Sequence, residues 1–197
     1  PVPFLQLADG ATVPGDAFLA MVHRGAGALR ALGVRPGDRV AAQVAKTPEA
    51  LALYGATIAA GAVFLPLNTA YTPTEIDFFV GDAAPRVLLA DPAKAGALAP
   101  VAARHGATLA TLDAHGRGDF RALCDAQPDR GEVADRDADD LAALLYTSGT
   151  TGRSKGAMLS HGNLLSNAGA LAREWRFSAD DVLLHALPIF HTHGLFV

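Results

Sequence analysis

A chain of 197 residues, 50% hydrophobic and 18% charged, is long enough to bury a substantial core and too apolar for intrinsic disorder. Its 16 lysines and arginines against 20 acidic residues give a net charge of −4, which excludes the broad electropositive surface that attracts nucleic acid phosphates or anionic lipid. The single cysteine, Cys124, cannot form an internal disulfide; with Phe120 and Leu123 at helical spacing it reads as a small buried hydrophobe in a reducing, cytoplasmic setting.

The opening PVPFLQLADG has no basic region, no long apolar run and no initiator Met, so it is not a secretory signal and is expected to lie inside a longer polypeptide. Residues 16–32 place Phe18, Leu19, Val22, Ala26, Leu29 and Leu32 on one face of a helix closed by Gly33. RVAAQV follows as a strand, then a helix with Thr47 as N-cap and Pro48 in its first turn, where the missing N–H costs nothing. No charge falls between Glu49 and Glu75, a length approaching a membrane span. Gly55, Gly61 and Pro66 interrupt that stretch, however, and it divides into a helix ending near Gly61 and a buried strand, AVFLPL. The alternation continues with a helix capped by Thr72, the strand RVLLAD, the helix PAKAGALAPVAARHG and the strand ATLATLD. Strand and helix in turn predict a mostly parallel, doubly wound α/β sheet with helices on both faces.

Residues 1–124 form this first α/β portion; 125–140 are an acidic linker or surface loop with seven acidic and two basic residues; 141–197 are a third portion. Asp135, Asp137 and Asp139 mimic the opening of a calcium loop, but Asp140 stands where such a loop needs Gly and Tyr146 where it needs Glu. LAALLYT then reads as a central strand buried on both faces. After a polar loop, Ser160 caps a helix with an apolar stripe of Leu164, Leu165, Ala168, Leu171, Ala172 and Trp175, and DDVLLHAL is expected to make one more strand. The ending LFV directly after a Gly turn reads as a truncation.

The polar loop is YTSGTTGRSKG, residues 146–156. Gly149, Gly152 and Gly156 let the backbone turn sharply and approach a ligand; Thr147, Ser148, Thr150, Thr151 and Ser154 offer hydroxyls, and Lys155 a point charge. At the carboxyl end of a parallel strand such a loop suits phosphate oxygens, although its composition alone also fits a flexible loop without a ligand. The Walker spacing fails, with Ser154 where Gly is required and Gly156 after the lysine. GRSKG is a literal G-x-S-x-G, but a nucleophile elbow needs a strand running straight into its first Gly, and here five polar or glycine residues intervene. His191 and His193 form an H-x-H pair that lacks a third ligand for zinc.

The motif YTSGTTGRSKG resembles the nucleotide-phosphate loop of the adenylate-forming superfamily, which includes acyl-CoA synthetases, luciferases and peptide-synthetase adenylation domains. ALGVRPGDRVA at 31–41 and LPIFHTHGL at 187–195 are similar to two further segments of that superfamily, in the same order. The usual loop has Pro before the lysine; here it is Ser154. This variant, with LSHGNLLSNA and HALPIFHTHGLFV, is most similar to the malonyl-CoA synthetases. The resemblance implies part of a large N-terminal domain, and a reaction in which a carboxylate, malonate by preference, attacks Mg-ATP to give acyl-AMP before coenzyme A displaces AMP. It implies that Thr147, Ser148, Gly149, Thr150, Thr151, Gly152, Arg153, Ser154 and Lys155 hold the nucleotide's phosphates, with Thr147 near Mg2+ and Lys155 and His191 catalytic. His191 would border the acyl pocket; alone, it reads equally as a packed turn histidine. The alternatives are adenylation of an amino or aryl acid for a carrier protein, or a nucleotide-binding piece without turnover. The adenine, ribose and adenylation-lysine segments of the superfamily have no counterpart in these 197 residues, which by themselves are expected to be inactive and to need the remainder of the polypeptide. No residue in 187–197 supplies a cation for malonate's second carboxylate.

Overall fold

The structure, a computed structural model, describes residues 3–147 and 154–197. A short antiparallel pair, β1 (Pro3–Gln6) and β2 (Thr12–Pro14), leads into α1 (Gly15–Ala31). There follow β3 (Arg39–Gln43), α2 (Pro48–Ala59), β4 (Val63–Pro66), α3 (Pro73–Ala83), β5 (Val87–Ala90), α4 (Pro92–Arg104), β6 (Thr108–Thr111) and α5 (Asp119–Asp125). After a segment without helix or strand come β7 (Leu141–Thr147), β8 (Lys155–Ser160), α6 (His161–Glu174) and α7 (Thr192–Phe196).

Six strands share one sheet in the order β6-β5-β3-β4-β7-β8, parallel except for the last pair. Strand alternation divides the core in two. Val40, Ala42, Val87 and Leu89 face one layer with α1, α2 and α5, while Ala41, Leu88 and Ala90 face the other with α3 and α4. The doubly wound arrangement predicted from the alternation is therefore the one observed.

The predicted caps form. Thr47 accepts from the Ala50 amide at 3.1 Å, and Thr72 with Glu75 and Ser160 with Asn163 complete capping boxes. The charge-free stretch folds as α2 and β4, and no helix among the described residues is long and apolar enough to cross a membrane.

Three expectations need correction. DDVLLHAL is not a strand: Val182, Leu183 and Leu184 are exposed and no neighbouring strand offers them a ladder. The polar loop does not run straight to the helix, because Lys155–Ser160 first returns as the edge strand β8, antiparallel to β7. Finally, α6 forms where expected but buries none of its residues, with Leu165 and Trp175 exposed, and on α1 Val22, Ala26 and Leu29 are buried as expected whereas Leu19 is exposed and Gly25 and Ala28 are buried as well.

Candidate functional site

The β7–β8 hairpin is held from its base. Tyr146, one residue before the end of β7, donates its hydroxyl to Asp82 on α3 and packs its ring against Phe79 at 4.7 Å between centroids. Burial and the Asp82 carboxylate both push the phenol's pKa upward, so it remains a donor. Opposite Tyr146 stands Gly156, whose backbone is extended; a Cβ there would come within 2.9 Å of Leu144 Cδ1. This glycine makes room for its cross-strand neighbours rather than a sharp turn, which corrects the part assigned to it from sequence.

One step beyond, Thr147 and Lys155 are a cross-strand pair, both exposed. The Thr147 hydroxyl reaches the Lys155 carbonyl only at 3.5 Å, and among the described residues neither side chain makes another hydrogen bond. Ser154 sits beside them, half-buried, and leads into a strand, which removes the strand-to-helix turn that a nucleophile elbow requires. Ser148, Gly149, Thr150, Thr151, Gly152 and Arg153 lie outside the described residues.

His191 is elsewhere. It is the N-cap of α7 without a side-chain cap hydrogen bond, exposed, with its ring 4.6 Å from that of Phe190. Among the described residues no hydrogen bond links it to Thr147 or Lys155. Among the described residues the fold thus brings Thr147, Ser154 and Lys155 together and leaves His191 on a separate wall.

Ala186, Pro188, Ile189 and Phe190, just before His191, form one side of an open cavity of about 640 Å³ which sequence reasoning missed. After β3 the chain turns to α2 on one face of the sheet, while after the flanking strands β4 and β5 it turns to α3 and α4 on the other. Such a switch opens a crevice at the carboxyl ends of the strands, where open α/β sheets bind ligands. Gln43, Lys46, Thr69, Asp91 and Lys94 line it from the strand ends, and Phe190 from the opposite side. Gln43 is 1% exposed; its amide donates to the carbonyls of Asn68 at 3.0 Å and Tyr71 at 2.9 Å, but among the described residues its buried Oε1 has no partner. An unpaired buried acceptor on a cavity wall is what a ligand's N–H or O–H, or a water, would satisfy. The lining residues follow directly after predicted strands, so the strand order was the missing signal.

The profile of a family described as AMP-binding enzyme matches residues 7–197. A feruloyl-CoA synthase of an Amycolatopsis species is 41% identical over 174 residues, 88% of this chain and 33% of the relative. A mitochondrial malonate–CoA ligase of Bos taurus is 35% identical over 139 residues, 68% of this chain and 22% of the relative. Among solved structures, ATP-bound MatB from Rhodopseudomonas palustris superposes with a TM-score of 0.93 at 54% identity, covering 96% of this chain and 38% of that one. The chain spans about a third of the length of such relatives.

Proposed function

This chain belongs to the AMP-binding enzyme family, and on that premise we propose that it is the phosphate-holding portion of an ATP-dependent carboxylic acid:CoA ligase with malonate as preferred acid. The observation that carries the reading is the cross-strand pairing of Thr147 and Lys155 at the open end of a hairpin anchored by Tyr146. It presents a hydroxyl and an ammonium together, next to a loop of hydroxyls and glycines, on a rigid support.

In the first step a carboxylate oxygen attacks the α-phosphorus of ATP, the bond from that phosphorus to the α,β-bridging oxygen breaks, and pyrophosphate leaves with the bonding pair. Negative charge spreads over the leaving group, and a fixed cation with preorganised donors stabilises it. Lys155 supplies that charge. ATP arrives as its magnesium complex; Thr147 Oγ1, an exposed hard oxygen, is the hydroxyl suited to it, and the ion would neutralise phosphate charge. In the second step the sulfur of coenzyme A attacks the acyl carbon, its proton passes to solvent or a base, and AMP departs with the carbon–oxygen bonding pair. His191 is proposed to meet the acid by hydrogen bonding. The exposed stripe of α6 is where the remainder of such a polypeptide would pack.

The Ser154–Lys155 variant and the bovine malonate–CoA ligase favour malonate. The 41% identity to a feruloyl-CoA synthase favours an aryl acid as second reading. Acid-dependent pyrophosphate release by the full-length polypeptide, with malonate, methylmalonate, acetate, ferulate and an amino acid, separates them. The highest kcat/KM is expected with malonate; a ferulate optimum would favour the second reading, and no release with any acid would refute both.

A further inference from the structure

Residues 181–188, immediately before the Phe190–His191 wall, contain neither helix nor strand, and Val182, Leu183, Leu184 and Leu187 are exposed. The segment's own hydrogen bonds are local: Ala186 to Leu184, His191 to Pro188, and His185 Nε2 to the Gly194 carbonyl at 2.5 Å. Local bonds shape a turn without fixing where it sits against the sheet.

One side chain does that. Lys46, three residues beyond the end of β3, donates its ammonium to the carbonyls of His185 at 2.6 Å and Leu187 at 2.9 Å. Among the described residues these are the only hydrogen bonds joining residues 181–191 to a distant part of the chain. Ile189, 8% exposed, adds an apolar anchor in the core beneath α1 and α2. Partial burial lowers the lysine's pKa, as expected of an ammonium drawn out of water toward carbonyls. A neutral or shorter side chain at this position would leave two carbonyls to solvent, and the wall would be held by Ile189 and by the contacts of Leu195 and Phe196 just beyond it.

We infer that Lys46 is a positioning residue: by gripping the carbonyls of His185 and Leu187 it sets the distance between the Phe190–His191 wall and the carboxyl ends of β3 and β5. Its bearing on catalysis rests on the ligase reading above, in which His191 meets the acid; the tether itself does not.

The test compares Lys46→Met, Lys46→Arg, His191→Ala and the Lys46→Met/His191→Ala pair in the full-length polypeptide. Hydrogen–deuterium exchange is followed in the peptide spanning 185–191. Losing two charge-assisted bonds should speed exchange there by roughly ten-fold or more, with peptides from β3 to β5 unchanged and the arginine variant largely restored. In steady state, Lys46→Met should raise KM for the acid and leave KM for ATP unmoved, and it should add little in the His191→Ala background. Unchanged exchange at 185–191, or an equal rise throughout the sheet, would overturn the inference. Exchange needs no turnover, so absence of acid-dependent pyrophosphate release in the unmutated protein would sink the ligase reading and leave the tether decided by the exchange data.

Discussion

Cys124 packs on the core layer beneath α1, and its surroundings oppose ionisation: burial first, then the neighbouring Asp125 carboxylate, push the thiol from 9.0 up to about 11 against the weaker pull of Arg121 and Arg24. A raised folded-state pKa means the neutral thiol stabilises the fold fully below the unfolded value, and that contribution is lost as pH climbs toward 11. At pH 8.5 alkylation mapped to Cys124 should be on the order of 100-fold slower in the native protein than in denaturant; equal rates would show the thiol to be accessible and unperturbed. That this residue packs on the core was legible from its helical spacing with Phe120, although it is half-buried rather than buried. The work of Gly156 was not, because it depends on Leu144 across the hairpin, a neighbour that no local pattern reveals.

Between elements, α1 and α2 approach through glycine. A Cβ on Gly25 would stand 2.7 Å from Ala56 Cβ, and one on Gly55 would meet Val22 Cγ2 at 2.8 Å. Gly25→Val therefore overpacks a contact made by backbone-borne atoms and should destabilise by about 1–3 kcal/mol, read as a lower urea midpoint with unchanged slope; an unaltered midpoint would mean the helices can separate freely. Helix starts were legible because Thr47, Thr72 and Ser160 act on amides three residues away. Strands were less so. DDVLLHAL has the apolar content of a strand but no partner to pair with, and β8 was hidden because Lys155–Met158 are exposed and show no buried face.

At the scale of the molecule, alternating strands and helices were enough to anticipate a mostly parallel sheet covered on both sides, since each unit announces itself locally. Strand order was not available from that pattern, and with it went the crevice at β3, its orphan Gln43 oxygen and the Lys46 tether. The hairpin end and this crevice stand at different strands of one sheet, which suits the proposed ligase reaction, where a triphosphate and an acid would be held from separate supports. The most direct test of that account is Lys155→Ala in the full-length polypeptide, measured as acid-dependent ATP–pyrophosphate exchange. Loss of a charge-assisted phosphate contact should lower kcat/KM by about 1.5–3 kcal/mol, roughly 10- to 150-fold, whereas exchange at the unmutated rate would contradict the claim that the mouth of the β7–β8 hairpin grips the nucleotide.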